Sequence, residues 1–438
     1  MSASAGAISA EQGRLIARSR EFITARAESG LDVALDPQCY LNSWAPCLGN
    51  ARLREIAYGA RGRPARLLAR ARDAASTLRF KSAVLAGETD AQPRGFGNLV
   101  VSWALPTDFD EQGNYRDRYL NLGSADTPGT LWFLILLSGT VPSCVAGNVR
   151  VLHRPGHGHT HQFRGRFNAF SGTVAQAREI AALVATCQRR YGFGRVLMPY
   201  EAQPFQHAAN LAVKACDPRV VTVGYVHSSL PALPTDYLLR HGAPDRLLVH
   251  GEGQAEILTR DLGWAAERVE IIDSLRYLRD AGVSFAGNIL LPYDFDDAEF
   301  IAGRVAAMLS AATPGSMPRW KVRNHPVKGN SAPHLALTQQ LEAIIARFAD
   351  RGTDAPRAAA QTLMIGATAA VIEALERGLD VVHLCTNELF ERYCMGIWTR
   401  LDIEELPSNF SRYRLRESGA YIRLGTDARL TARTLGLH

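Results

Sequence analysis

Two short stretches of the chain carry residue types that could together bind an anion. Residues 321–326 read KVRNHP, which predicts a short strand that ends in a basic loop with a histidine. Residues 366–374 read GATAAVIEA, which predicts a strand end, a turn of small residues and a helix start. Two such junctions in one parallel sheet place their loops at the same edge, where open α/β sheets bind ligands. Backbone N–H groups at the helix start, beside a His, an Arg and a Lys, would hold an anionic leaving group. This combination is typical of a nucleotide-dependent transferase.

The elements that must position these loops follow a regular order. Helices are expected over residues 8–30, 50–78, 173–190, 204–215, 253–262, 296–311, 335–350 and 369–378. Strands are expected over residues 98–104, 131–137, 195–199, 220–226, 246–249, 269–272, 289–291, 320–323, 362–365 and 381–384. Strands that alternate with helices predict parallel, doubly wound sheets. The predicted fold class is therefore α/β, with two Rossmann-like domains that face a cleft.

A proline-rich segment, PALP at residues 231–234, is the candidate linker between the two domains. We expect an N-terminal α/β domain with a helical extension over residues 1–235. A Rossmann-like nucleotide-binding domain is expected over 236–400, followed by a tail over 401–438 that packs back on the domains.

Composition narrows the function classes. The chain has 438 residues, 47% of them hydrophobic, which is more than one small core needs. The net charge of +6 fits an enzyme that handles phosphates or one that contacts an anionic membrane surface. The sequence contains no basic stripe with interleaved aromatic residues, which is the pattern that would indicate nucleic-acid binding. Seven dispersed cysteines argue against a disulfide framework and for a reducing compartment. With no signal-peptide pattern and no apolar run long enough for a bilayer, we expect a cytoplasmic protein, with peripheral membrane contact left open.

Several pieces of the chain resemble one enzyme group. Residues 200–205 (YEAQPF) and 224–229 (GYVHSS) are similar to the region that closes the N-terminal domain of GT-B glycosyltransferases of bacterial surface-carbohydrate biosynthesis. His325-Pro326 is similar to the HP motif of bacterial sialyl- and Kdo-transferases and of CDP-glycerol-type polymerases. Residues 366–368 (GAT) stand where those enzymes carry a Ser/Thr-rich phosphate motif. The acidic-acidic-Gly motif of sialyltransferases has no counterpart in the N-terminal domain. The resemblance implies the two-domain GT-B architecture.

The resemblance also implies a donor site. His325 would contact or protonate the donor phosphate as the sugar departs, which suits a group whose pKa lies near working pH. Further donor contacts are expected from Arg323, Lys321, Pro326, Gly366, Ala367, Thr368 and Glu373. The structural alternatives are a histidine packed beside a turn-forming proline, solvated basic side chains and an ordinary N-cap threonine.

Glu201 is the expected general base. It directly follows a predicted strand and precedes a Gln-Pro helix start, so its carboxylate would point toward the cleft. Acceptor or sugar contacts are expected from Gln203, His227, Ser228, Asp108 and Asp117. The alternatives are compensation of a helix dipole by Glu201 and an ordinary solvated turn in the Asp-rich loop.

The loop at residues 153–161 contains four histidines, which could bind zinc. No Asp, Glu or Cys accompanies them, and a flexible or substrate-contacting loop is the alternative. We expect no metal and no cofactor.

The sequence thus predicts a metal-independent glycosyltransferase. The donor would be a CMP-activated nonulosonic acid or a Kdo-type sugar, and the acceptor a surface glycan or lipid-linked saccharide. The alternatives are a CDP-polyol phosphotransferase, a nucleotide-sugar epimerase of the same fold, a metal-dependent hydrolase built around the histidine loop and a catalytically silent scaffold of an assembly complex.

Overall fold

The computed structural model describes residues 5–44, 47–64, 66–68, 70–71, 84–87, 95–137, 139–153, 173–279, 285–325, 329–353, 360–427 and 435–437. Two largely parallel sheets organise these residues, and helices cover their faces. The α/β fold class predicted from the sequence is confirmed.

The first sheet has eight strands: β1 (Val84–Ala86), β2 (Asn98–Ala104), β3 (Thr130–Leu136), β4 (Val149–His153), β5 (Arg195–Pro199), β6 (Val221–Tyr225), β7 (Arg246–Val249) and β8 (Val269–Ile271). Their order is β1-β4-β3-β2-β5-β6-β7-β8. All neighbours are parallel except β1 and β4. From β4 onward this is the Rossmann strand order, and the direction of the winding changes between β2 and β5.

The second half contains β9 (Asn288–Leu290), β10 (Met317–Pro318), β11 (Lys321–Arg323), β12 (Gly352–Thr353), β13 (Gln361–Ile365), β14 (Asp380–Leu384), β15 (Leu401–Glu405) and β16 (Phe410–Leu415). Its six-stranded sheet runs β11-β9-β13-β14-β16-β15, and β10 pairs separately with β12. The four neighbouring strands β11, β9, β13 and β14 are parallel. Strands β16 and β15 join them as an antiparallel hairpin. Here the direction of winding changes between β9 and β13.

The main α-helices are α1 (Ala5–Glu28), α2 (Leu48–Tyr58), α3 (Thr173–Tyr191), α4 (Pro204–Cys216), α5 (Glu252–Glu256), α6 (Ala298–Ala311), α7 (Ala332–Arg347), α8 (Ala370–Glu376) and α9 (Glu388–Glu391). Residues 63–64, 66–68 and 70–71 are helical as well. A π-helical turn, Ile257–Asp261, continues α5. Most predicted helices are present, but α2 ends at Tyr58 because Gly59 follows with a φ of 60°. Within the described residues, no helix is long and apolar enough to cross a membrane.

Buried apolar residues on both faces hold the first sheet in place. Helices α3 and α4 cover one face, where Val184 and Ala209 pack against Leu99 and Val196. The opposite face is covered by the loop after β2 and by residues near the C-terminus. The long continuous apolar runs in β2 and β3 therefore reflect strands that are buried on both faces.

Helix α1 joins the two halves. Its apolar residues Leu15, Ile16 and Ile23 belong to a core cluster that includes residues of both sheets. The Gln12 side chain donates hydrogen bonds to the carbonyl oxygens of Leu389 and Arg392 at 3.1 and 2.8 Å. The helical extension therefore stabilises the arrangement of the two halves around the space between them.

The change of sheet comes later than the sequence suggested. Strands β7 and β8, which we had assigned to the second domain, pair in parallel with the first sheet. The proline-rich segment 231–234 therefore lies within the first half, and the chain changes sheet between Ile271 and Asn288. Local strand patterns cannot reveal this difference, because a strand reads the same in either sheet.

The C-terminal region returns to both halves. Strands β15 and β16 extend the second sheet, while the backbone N–H of Ser274 donates to the carbonyl of Arg423 at 2.9 Å. Leu437 is buried against the first sheet.

Candidate active site

A cavity of about 500 Å³ lies between the two halves. Both sheets reach it with the carboxyl ends of their parallel strands, at the two points where the winding changes direction. In the first sheet these ends supply Arg118 in the loop after β2 and Glu201 after β5. In the second sheet they supply Leu291 after β9 and Thr368 after β13. Open α/β sheets bind ligands at such switch points, so one space can receive ligands from both sheets.

Glu201 is held in a rigid turn at the end of β5. The side chain of Gln206 accepts hydrogen bonds from the backbone N–H groups of Glu201 and Gln203 at 3.1 and 3.0 Å. Its amide donates to the carbonyl of Pro199 at 2.6 Å. Ala202 has a φ of +51°, an uncommon conformation that turns the chain sharply before α4 begins at Pro204. The turn lets the Glu201 carboxylate line the cavity although only 7% of the residue is exposed.

Two predicted neighbours orient that carboxylate. Gln203 donates its amide N–H to Oε2 of Glu201 at 2.7 Å. Nε2 of His227 lies 3.1 Å from Oε1 of Glu201. Both partners are fully buried behind Glu201 and do not line the cavity, so they position the carboxylate rather than offer a direct ligand contact. Because β5 and β6 are parallel neighbours, the two sequence pieces that contain Glu201 and His227 end side by side. Ser228, by contrast, lines the cavity.

Asp236 is a second cavity carboxyl that the sequence analysis missed. It lies in the 3-10 turn Thr235–Leu238, where it is only 3% exposed. Burial, and less strongly the charge of Glu201, raise the pKa of Asp236 to about 7. Hydrogen bonds from its own backbone N–H, from Trp44 and from the Tyr237 N–H act in the opposite direction. The carboxyl is thus substantially protonated at neutral pH. A lone aspartate inside a Pro-rich segment gives no local signal of this environment.

The second half supplies a cluster of basic side chains. Arg323 ends β11 and His325 follows it, and both line the cavity. The His325 ring lies edge-on to that of Tyr293, with 5.1 Å between the ring centroids. Arg276 and Arg377 line the same space. Arg276 comes from the segment that joins the two sheets, where an SLRYLR string offers only a general basic signal.

Glu373 lies among these arginines. Arg377 Nε donates to its Oε1 at 3.1 Å. Burial raises the pKa of Glu373, while the charges of Arg377, Arg276 and Arg323 act in the opposite direction. The three guanidinium groups therefore act on one acidic side chain and provide excess positive charge for an anionic ligand.

The small-residue turn after β13 also lines the cavity, with Ala367, Thr368 and Ala369. Gly366 has a φ of +65°, and a side chain there would come within about 3.1 Å of Pro292, so the turn favours glycine. Thr368 Oγ1 accepts a hydrogen bond from the Ala370 N–H at 3.2 Å, although the N-cap residue of α8 is Ala369 rather than Thr368. Helix α8 has only seven residues.

Besides Gln203 and His227, the predicted contact residues Gly366, Lys321, Asp117 and Asp108 do not line the cavity. Lys321 is exposed on β11 and does not line it, which corrects the expected donor contact. Asp117 is buried and its carboxylate accepts hydrogen bonds from Ser102, Tyr115, Tyr119 and Leu120. Asp108 forms an ion pair with Arg118 at 2.6 Å. These two acidic residues organise the loop after β2, and Arg118 is the residue of that loop that reaches the cavity. Pro326 lies outside the described residues.

No group of three potential metal-ligating side chains occurs within the described ranges. The histidine-rich loop falls largely outside them, since only His153 of residues 153–161 is described.

Comparisons with known proteins find remote likenesses. The chain matches no protein-family model and no curated protein sequence. One similar structure is a glycosyltransferase from Rickettsia africae ESF-5, with 11% identity, a TM-score of 0.33 and coverage of 65% of this chain and 79% of that one. A second is the lipopolysaccharide outer core galactosyltransferase WaaB in its apo form, with 8% identity, a TM-score of 0.34 and coverage of 66% and 81%. A third is the UDP-GlcNAc 2-epimerase from Neisseria meningitidis bound to UDP-GlcNAc, with 8% identity, a TM-score of 0.36 and coverage of 67% and 84%. At these TM-scores the likenesses carry no argument about function, which rests on the chain's own residues.

Proposed function

We propose that this protein is a glycosyltransferase of the GT-B type, which moves a sugar from a nucleotide donor to a hydroxyl acceptor. The observation that carries the proposal is the cavity onto which both sheets open at their switch points. A buried carboxylate lines it from the first half, and a basic cluster lines it on the side of the second half. Such a cavity suits two substrates that must meet, one with a hydroxyl to be activated and one with a phosphate to be released.

Glu201 acts as the general base in this proposal. It accepts the proton of the acceptor hydroxyl while the hydroxyl oxygen forms its bond to the anomeric carbon of the donor. Gln203 and His227 hold the carboxylate in place, so that little reorganisation is needed during the reaction. The bond between the anomeric carbon and the phosphate oxygen breaks in the same transfer.

The basic cluster stabilises the phosphate that leaves. Arg276, Arg323 and Arg377 supply fixed positive charge, and His325 contacts or protonates the phosphate oxygen. Electrostatic stabilisation by preorganised side chains acts where negative charge develops and can supply this part of catalysis without a metal ion. Thr368 and the turn that contains it provide polar contacts beside the cluster.

The donor we propose is a CMP-activated nonulosonic acid or a Kdo-type sugar. This choice rests on the resemblance of His325-Pro326 to the HP motif, and the acceptor would be a surface glycan or a lipid-linked saccharide at the cytoplasmic side of the membrane. A CDP-polyol phosphotransferase or a nucleotide-sugar epimerase would use the same cavity for a different reaction, and donor turnover distinguishes the three.

The test is calorimetric binding of CMP, CDP, UMP, UDP and GDP to the wild type, to His325→Ala and to His241→Ala. His241 is an exposed histidine that does not line the cavity, so it serves as the matched control. We expect cytidine nucleotides to bind the wild type and the control, and to bind His325→Ala about tenfold more weakly, because a charge-assisted hydrogen bond is lost.

Donor turnover then decides the reaction. Transfer from a CMP-sugar to an added saccharide supports the proposal. Transfer from CDP-glycerol, or conversion of a nucleotide sugar without an acceptor, would assign one of the two alternatives. If no nucleotide binds the wild type, the proposed function is wrong.

A further inference from the structure

The cavity contains two acidic side chains with different electrostatic surroundings. The charges acting on Glu373 come from arginines, as described above. The ionisable group that acts most strongly on Asp236 is Glu201. Glu201 and Asp236 therefore form an interacting carboxyl pair, and both line the cavity.

The structure holds Asp236 firmly. The hydroxyl of the preceding residue, Thr235, donates to the carbonyl of Leu41 at 2.6 Å. Trp264 donates its indole N–H to the carbonyl of the following residue, Tyr237, at 2.9 Å. The chain on both sides of Asp236 is thus held at the cavity wall, and the Asp236 carboxyl accepts a hydrogen bond from Trp44.

One oxygen of this carboxyl is buried without a partner among the described residues. Oδ1 of Asp236 finds no hydrogen-bond donor within that part of the chain. Buried polar atoms are nearly always hydrogen-bonded, so an orphan that borders a cavity points to a ligand group that completes it. Trp44, Ser43 and Ser229 line the cavity as well, which gives this wall the mixture of aromatic and hydroxyl groups that suits a sugar.

The ionisable groups around Asp236 leave it beside a single carboxylate. Tyr200 and Cys47 also interact with Asp236, but burial raises the pKa of Tyr200 well above its ordinary value and that of Cys47 to about 12. Both are therefore neutral at neutral pH. Two carboxyl groups in one desolvated site resist simultaneous ionisation, so one of the pair keeps a proton.

We propose that Glu201 and Asp236 together form the acceptor site, and that this site takes an uncharged sugar through two of its hydroxyl groups. The inference rests on the proposed function and deepens it. Glu201, as the carboxylate, accepts the proton of the reacting hydroxyl. Asp236, as the carboxylic acid, donates a hydrogen bond to a second oxygen of the same sugar. An acceptor with a carboxylate at this position is rejected, because its charge would lie beside that of Glu201.

The test uses the whole protein, first saturated with the nucleotide that binds it best. Methyl galactoside, methyl glucoside and methyl N-acetylglucosaminide are titrated calorimetrically, and methyl glucuronide is the charged comparison. Three variants are compared with the wild type: Asp236→Asn, Asp236→Leu and Asp273→Asn. Asp273 is exposed and does not line the cavity, so it is the matched control.

We expect at least one neutral glycoside to bind and the glucuronide not to bind. The Asn variant still donates a hydrogen bond and should keep the affinity within about twofold, whereas the Leu variant should lose about tenfold or more. Binding to the wild type should weaken as the pH rises past about 7, where Asp236 loses its proton, and binding to the Asn variant should not. Preference for the glucuronide, unchanged affinity in the Leu variant, or failure of every neutral glycoside to bind would overturn the proposal.

Two readouts separate this inference from the proposed function. Nucleotide binding, measured on the same variants, should be unchanged, and its absence from the wild type would refute the glycosyltransferase proposal. The protonated carboxyl of Asp236 can be observed directly by infrared difference spectroscopy between the wild type and Asp236→Asn at neutral pH, without any substrate. Absence of that signal would refute the role given to Asp236 even if nucleotides bind.

Discussion

Replacing Asp236 by Asn should change the pH dependence of stability in a direction and by an amount that the structure determines. Burial raises the pKa of Asp236 from the ordinary 3.8 to about 7 in the folded protein. Between these values the folded state retains a proton that the unfolded chain has lost. The wild type therefore loses stability as the pH rises from about 4 to about 7, and the Asn variant, which has no such proton, does not.

The magnitude follows from about 1.4 kcal/mol for each pH unit of difference between the two pKa values. Between about pH 5 and about pH 8, the wild type should lose about 3 kcal/mol relative to the variant, as the folded group loses its proton near pH 7. Asn keeps the shape of the side chain and an oxygen that can accept from Trp44. The variant should therefore gain in relative stability as the pH rises.

Urea unfolding of the wild type and Asp236→Asn at a series of pH values measures this difference. Other titrating groups are common to both proteins, so their contributions cancel. The exposed-site variant Asp273→Asn should follow the wild type at every pH. Parallel stability curves for the wild type and Asp236→Asn would show that the buried carboxyl ionises normally, and the reasoning from burial would be refuted.

Further predictions concern catalysis, packing and acid stability. Glu201→Gln should lower kcat about a hundredfold or more and leave nucleotide affinity within about twofold, because only the proton acceptor is lost; an equal loss in both would contradict its role as a base. Gly49→Ala in α2 should destabilise the protein by about 1–3 kcal/mol in urea unfolding, since its side chain would overlap the Tyr40 carbonyl; Gly13→Ala in α1 meets nothing and should stabilise it by up to about 1 kcal/mol. Acid should also destabilise the fold as the pH falls from about 6.5 toward about 4, because the unfolded chain then binds protons that buried, neutral histidines exclude. Burial lowers the pKa of His207 to about 4, of His250 to about 3 and of His383 to about 4. This trend opposes that of Asp236, so it is measured best in the Asp236→Asn background, where a flat profile would contradict it.

The sequence predicted those parts of the fold and site that depend on local patterns. Alternation of apolar strands with helices predicted parallel sheets, and strand ends predicted which loops share an edge. The pieces that contain Glu201 and His227 meet because they follow neighbouring parallel strands. The loops with Arg323 and Thr368 meet because β11 and β13 both pair with β9.

The features that the sequence could not predict depend on contacts between distant residues. Asp117 and Asp236 are both buried aspartates near turns, but one is satisfied by four hydrogen bonds from its own loop and neighbouring strand. The other lines a cavity, and one of its oxygens has no hydrogen-bond partner among the residues that the structure describes. Arg276 reaches the cavity because the chain crosses there from the first sheet to the second. Nothing in the immediate sequence distinguishes these cases, since tertiary packing decides what each side chain contacts.

Under the proposed function, the arrangement of the two halves explains why the catalytic groups would come from both. A switch point offers a ligand site at one sheet edge, but transfer between two substrates requires their reacting atoms to approach within contact distance. Opposed switch points achieve this with the carboxylate on one sheet and the phosphate contacts on the other. On a single sheet, the carboxylate would lie beside the phosphate and repel it. Glu201 and Asp236 line the cavity from the first half, and the guanidinium groups that act on Glu373 line it as well, so the proposed proton acceptor and the proposed phosphate contacts come from different elements. Helix α1 packs with residues of both sheets but does not itself line the cavity, so the arrangement of these groups depends in part on a segment outside the site.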